Sequence, residues 1–299
     1  MTHLATTLLS ALTHADQLFE AGRLTAAQAA YEEVLERAQE RLDRSTEIEA
    51  RAGLAHTLLR RQDLEGARAA ADRASERLAG GTVECHTRLR SVRARIALAE
   101  GSLERARVEL VELFEWARQQ GRPALAMEAC ALLSTVHVRD ERIRWLQRAV
   151  DIGVTEECEE LGCAYRDLAV VFEAEGRWQE ALDAWQEALQ AFRRLGTTRQ
   201  VRMAEWAVGA LGCRLEDWPL AQARLEEVIR QADAEEETVD LLALALADLA
   251  RVHEAAGDVI EARRVLLRAM AMAREHDLPR IWPERWRGML EQANRLELD

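Results

Sequence analysis

Residues Tyr165–Ala188 read YRDLAVVFEAEGRWQEALDAWQEA. Tyr165, Leu168, Ala169 and Phe172 form one apolar stripe at helical spacing, and Trp178, Ala181, Trp185 and Ala188 form another. Between them Glu175-Gly176-Arg177 breaks the periodicity. The stretch predicts a helix, a tight turn and a second helix. Ala169 and Ala181 are small enough to let the two backbones approach closely.

The second half of this unit recurs along the chain. Gly22-Arg23-Leu24 leads to Ala27, Tyr31 and Val34, and Asp63-Leu64 to Ala67, Ala71 and Ala74. Gly101-Ser102-Leu103 leads to Ala106, Leu110 and Leu113, Asp217-Trp218 to Ala221, Leu225 and Val228, and Gly257-Asp258-Val259 to Ala262, Leu266 and Ala269. The leading alanines, at 27, 67, 106, 181, 221 and 262, are separated by 40, 39, 75, 40 and 41 residues. The step of 75 is close to two periods, so residues 124–152 hide a degenerate repeat without the Gly-turn-Ala signal. Seven repeats then fill nearly the whole chain.

These residues resemble the tetratricopeptide repeat, whose pattern is W-x2-L-G-x2-Y, then A-x3-F, then a small residue. The match is Tyr165-x2-Leu168-Ala169-x2-Phe172, Ala181-x3-Trp185 and Ala188. The period of about 40 departs from the family's common 34, as it does in longer-period bacterial regulators that resemble the family. The resemblance implies an all-α fold: a right-handed α-solenoid of about seven helix pairs, in which the first helix of each pair lines a concave face. The expected organisation is one repeat domain over 1–279 with a capping helix over 280–299.

Local signals place the helices. The first runs from about Leu4 to Ala21, with Leu4, Leu8 and Leu12 on one face. Thr25-x-x-Gln28, Thr46-x-x-Glu49 (with Ser45 as an alternative cap), Thr197-x-x-Gln200 and Asp258-x-x-Glu261 read as capping boxes. Thr82 opens the third pair, Pro123 the fourth and Thr155 the fifth; Gly80-Gly81, Gly121, Gly153 and Gly196 end helices. The acidic run Glu156, Glu157, Glu159, Glu160 is expected in a helix's first turn, as is Glu235-Glu236-Glu237. Arg93 falls where the register asks for an apolar residue; either the helix is rotated there or the stem of Arg93 snorkels. In the tail, Trp282, Trp286, Met289, Leu290, Ala293 and Leu296 form a stripe, with Arg285, Arg287, Glu291 and Arg295 facing away. Two readings of the tail are open, a cap over the last repeat or an interface.

Composition narrows the function. The 40 basic residues are all arginine, and the net charge is −13, so the chain as a whole repels phosphate backbones and a nucleic-acid partner is not expected. No apolar run reaches 18 residues, so no membrane span is expected. The start carries no basic signal-peptide region, and a cytoplasmic location is expected. Cys85, Cys130, Cys158, Cys163 and Cys213 form no C-x-x-C pair and read as reduced thiols, several of them core. No phosphate-binding glycine loop, zinc-protease helix or nucleophile elbow occurs. No catalytic residue, metal or cofactor is therefore expected.

What remains is a surface. Projecting the concave face of the resembled family onto this register selects His56, Arg60, Arg88, Arg95, Met127, Arg166, Met203, Trp206, Arg214 and Arg251, with Asp16, Glu20, Glu49, Glu173 and Glu254 beside them. Arginine forks suit carboxylates, and Met and Trp suit adaptable apolar contacts. The expectation is a non-enzymatic scaffold that holds a peptide or protein segment, with an acidic stretch or a free carboxylate. Two other readings stand beside it: a ligand- or peptide-sensing regulator acting through a separate effector chain, and a scaffold that self-assembles into homo-oligomers. The lysine–asparagine clamp of chaperone-binding family members has no counterpart, since the chain contains no lysine.

Overall fold

The computed structural model describes residues 2–232 and 239–298. The expected helix start at Glu235-Glu236-Glu237 lies outside them, as does the side chain of Leu4. Among the described residues every regular element is a helix. The chain forms two compact units, residues 1–152 and 153–299.

The first unit contains α1 (Thr2–Glu20), α2 (Leu24–Glu40), α3 (Arg44–Arg60), α4 (Leu64–Glu76), α5 (Val83–Ala99), α6 (Leu103–Gln119), α7 (Pro123–Val136) and α8, which starts at Arg139 and ends at Thr155. From α1 to α7 each helix packs on the next, and α3 also packs on both α1 and α5. The first helices of successive pairs therefore form one layer, with the second helix of each pair packed between two first helices, which is the arrangement of a helix-pair solenoid. The second unit contains α9 (Leu161–Ala174), α10 (Trp178–Leu195), α11 (Thr198–Arg214), α12 (Trp218–Ala232), α13 (Val239–Ala255), α14 (Val259–Glu275), the single turn α15 (Leu278–Ile281) and α16 (Pro283–Arg295). Here too each helix packs on the next, and α11 packs on α13.

The repeat register is carried by the second helices. Ala27, Ala67, Ala106, Ala181, Ala221 and Ala262, each at the fourth helical position, are all fully buried. The residues four and seven positions later, such as Tyr31 and Val34 or Trp185 and Ala188, are buried with them. In the degenerate repeat the same register falls on Arg142, Leu146 and Ala149. Leu146 and Ala149 are buried as elsewhere, but the close-contact alanine has become an arginine. The turn inside a pair needs one left-handed residue, supplied by Gly22, Gly101, Gly176 and Gly257 and, at equivalent places, by Gln62 and Glu216. A side chain there costs backbone strain, which is why glycine dominates the position.

Several local expectations change. Asp43, not Ser45 or Thr46, caps α3, accepting from the Thr46 amide at 3.1 Å. Thr25 lies inside α2, and Thr197 stands at the cap of α11 without making the capping bond. Thr82, Asp63 and Asp258 do cap α5, α4 and α14 through their side chains. Gly153 and Thr155 belong to the last turn of α8, so Glu156–Glu160 form the connection before α9 rather than its first turn. Ala184, outside the Ala181–Trp185–Ala188 stripe, is buried as well, so α10 is covered over a wider face than that stripe. Arg93 keeps its helix in register by reaching Glu109, whose side chain is buried.

The residue after four of the six leading alanines makes a further repeating contact. Gln28 accepts from Arg61 at the end of α3, Arg68 donates to Glu100 at the end of α5, and Arg107 donates to the Val136 carbonyl at the end of α7. Arg263 donates in the same way to the Leu296 carbonyl at the end of α16, at 2.7 Å. By this criterion α16 occupies the place of a first helix, packed on α13 and α14. Met289, Ala293 and Leu296 are buried there. Leu290 is exposed, and two residues expected to face away do not: Arg285 lies over the Trp206 ring, and Arg295 donates to Glu254 at 3.0 Å.

Candidate functional site

In the first unit, α1, α3, α5 and α7 line a cavity of about 300 Å³, with Tyr31 of α2 entering from behind. Its wall is built on the close approach of α2 and α3. Gly53 lies so near the Tyr31 ring that a Cβ there would sit 2.4 Å from it. The buried Tyr31 ring thus serves the core while its hydroxyl reaches forward and donates to Asp16 at 2.6 Å. Arg88 takes both oxygens of the same carboxylate in a fork, at 2.7 and 2.6 Å, and its Nε lies 3.4 Å from Glu49.

The electrostatics follow from this packing. The Asp16 hydrogen bonds hold Arg88 firmly protonated. Burial, with the bond to Asp16, raises the Tyr31 hydroxyl far above its usual range. Burial also pushes the Glu49 carboxyl up, against the opposing pull of Arg88. His56 is pushed down to about 4 by burial and by the positive charges of Arg95 and Arg60, so its ring is neutral near pH 7. That ring packs on Phe19 with centroids 4.6 Å apart, and Arg60 covers Phe19 from above at 5.0 Å while donating to its carbonyl. Arg95 bonds Glu128, which also faces Ser91.

Of the expected groove residues in this unit, His56 and Arg88 line the cavity. Arg60 and Arg95 hold Phe19 and Glu128 of the lining in place. Met127 does not belong with them: it is buried in the core, since the exposed side of α7 is turned one residue away, towards Glu128. Asp16 and Glu20, projected beside them, line it too, and Phe19, Tyr31, Ala52, Gly53, Thr87, Ser91, Leu125 and Glu128 complete the lining without having been selected from sequence. Tyr31 satisfied the core pattern, which concealed its hydroxyl. The others needed the packing of four helices to bring them together.

In the second unit the candidates divide. Met203 and Trp206 of α11, Leu241 and Leu244 of α13 and Trp282 line a cavity of about 240 Å³. Arg214 and Arg251 line a second, of about 340 Å³, with α16 along one side. Arg166 lines neither; it bonds its neighbour Asp167 at 2.8 Å. Of the acidic residues projected beside them, Glu173 accepts from the buried Trp185 at 2.7 Å, and Glu254 holds Gln292 and Arg295 of α16.

Reactive groupings are scarce. The described residues contain no group of three or more His, Cys, Asp or Glu placed to hold a metal ion. The five cysteines are free, and burial pushes the Cys130 and Cys213 thiols up to about 12, which suppresses the nucleophilic thiolate. No described helix is long and apolar enough to cross a membrane.

No family model matches the sequence, and no curated protein matches it. Solved structures do. A signal transduction ATPase with numerous domains and a tetratricopeptide repeat sensor, from Pyrococcus horikoshii, superposes with a TM-score of 0.79 at 15% identity, over 94% of this chain. This chain spans only 44% of that protein. The C-terminal part of a TPR repeat-containing protein from Cytophaga hutchinsonii gives 0.60 at 12% identity, over 87% of this chain and 95% of its own. BtubC from P. vanneervenii gives 0.57 at 22% identity, over 77% and 92%. At these identities the likeness is one of fold: the helix pairs are those of tetratricopeptide-repeat proteins.

Proposed function

We propose that this protein is a non-enzymatic interaction scaffold and that the face formed by its first helices holds a peptide or protein segment. One observation carries the reading. Side chains from α1, α3, α5 and α7 converge on a single cavity and are held in fixed positions by their own ion pairs and ring contacts. Fixing groups before a partner arrives lowers the entropy lost on binding. The lining mixes an aromatic and aliphatic floor, from Phe19, His56 and Leu125, with paired charges at its edge. Because Arg88 and Arg95 are already neutralised by Asp16 and Glu128, an acidic partner competes with internal carboxylates, and apolar contact supplies more of the affinity than charge does.

The test is to plug the cavity. Ser91→Trp fills it from α5, while Arg73→Trp adds the same bulk to an exposed position on α4. Partners captured from the native cell and quantified by mass spectrometry should disappear with Ser91→Trp and persist with Arg73→Trp, both proteins being folded by circular dichroism. Equal capture by the two variants rules this cavity out as the docking place.

A further inference from the structure

The two cavities of the second unit share a wall made of Leu244 and Arg285. On one side the surfaces are apolar: Met203, Trp206, Leu241 and Trp282. On the other the lining is mostly charged: Arg251 and Arg295 are paired with Asp248 and Glu254, Glu284 and Glu291 stand nearby, and two further arginines, Arg214 and Arg285, complete it. Each of these guanidiniums lies over an indole, Arg214 over Trp178 at 4.3 Å and Arg285 over Trp206 at 4.9 Å. Neither has a carboxylate within ion-pair distance among the described residues. Stacking on a ring leaves the in-plane N–H groups of a guanidinium free to meet a planar acceptor. Trp206 itself is braced by a 3.1 Å hydrogen bond from its indole N–H to Asp248, and the Arg199–Asp240 pair, at 3.1 Å, closes the rim of the apolar side.

We infer that residues 153–299 contain a binding site for an apolar carboxylic acid: an aromatic or branched aliphatic group in the Trp206–Trp282 cavity, with its carboxylate on Arg285 and Arg214. Pockets that hold small ligands are concave and mainly apolar with a few converging polar groups, and the Trp206–Trp282 side has that composition while the adjoining side supplies the charge. Because Leu244 and Arg285 line both cavities, the two recognised groups must lie close together in the ligand. A free small acid meets this requirement, and so does the last residue of a peptide, whose side chain and α-carboxylate leave one carbon. The site goes beyond the scaffold reading and stands whether or not the cavity of the first unit holds a partner.

Titration calorimetry on the full chain tests it with phenylacetate, phenylacetamide, and a tripeptide ending in phenylalanine as the free acid and as the amide. Phenylacetate should bind at least about tenfold more tightly than phenylacetamide, a charge-assisted contact being worth at least that factor. The preference should shrink as salt is added, because both arginines are exposed. Arg214→Met with Arg285→Met should abolish it while the melting temperature stays unchanged. Tighter binding of the peptide acid than of phenylacetate identifies a chain terminus as the source, and equal binding a free acid; both support the site. Equal binding of acid and amide, an acid preference that survives in the double variant, or no saturable binding by any of the four probes overturns it.

Discussion

Two pairs of arginines, one in each unit, are held in opposite ways. In the first, Arg88 is locked in a fork on Asp16 with Tyr31 and Glu49 around it, and Arg95 is bonded to Glu128. In the second, Arg214 and Arg285 rest on tryptophan faces and keep their hydrogen-bonding edges unspent on carboxylates. The same residue type is structural in one place and available in the other. Sequence spacing cannot separate the cases, because all four arginines lie on exposed or half-buried helix faces. The partner decides: a carboxylate neutralises the charge, whereas an indole orients the guanidinium and leaves the charge in place.

The largest expected effect would break this contrast outright. Arg88→Glu with Arg95→Glu sets two more carboxylates against Asp16, Glu49 and Glu128. It should cost about 2–4 kcal/mol in urea unfolding, somewhat below a fully buried pair because these groups are partly exposed. Arg214→Glu with Arg285→Glu should change stability by less than about 1 kcal/mol. Equal losses for the two double variants would erase the distinction between structural and available arginines.

A second comparison concerns the register that both units share. Ala181 of α10 and Arg142 of α8 occupy the same repeat position. Ala181 is fully buried, so Ala181→Leu should overpack its contact and cost roughly 1–3 kcal/mol. The Arg142 Nε is buried without a hydrogen-bond partner. Arg142→Leu removes that unsatisfied group and should leave stability within about 0.5 kcal/mol of wild type. Melting curves of the two variants check this directly. A large loss at Arg142 would mean that the degenerate repeat is packed as tightly as the others.

The smallest effect sharpens the description of the first cavity. His56 has a folded pKa of about 4 against an ordinary 6.5, so between those values the unfolded chain binds the extra proton. The contribution of neutral His56 is complete above pH 6.5 and is lost as pH falls towards 4, an effect of about 1–2 kcal/mol after allowing for partial exposure. Glu49, raised by burial, works in the opposite direction over the acid range. The readout is therefore the difference between wild type and His56→Gln, which should close as the pH is lowered through this window. A pH-independent difference would show that His56 is already solvated in the folded protein.

How much of this was legible in the sequence depended on the range of the interaction. Ala27, Ala67, Ala106, Ala181, Ala221 and Ala262 announced their burial because helix packing repeats every few residues and leaves a periodic trace. Helix caps were read less well. Thr46 looked like a cap by composition, but Asp43, three residues earlier, provides the carboxylate that the Thr46 amide meets. Asp16 and Arg88, 72 residues apart, carried no local signal of their bond.

By itself, the sequence determined an all-helical chain, the period of its pairs and the alanines at their closest contacts, because each of these is set by spacing along one helix or across one turn. Tertiary structure alone decided which arginines are neutralised, that Met127 is core, that α16 stands where a first helix would, and that Trp206, Trp282 and Arg285 meet. Those outcomes depend on which faces of distant helices are brought together, and a charge or a ring on a helix surface is compatible with several partners until packing selects one.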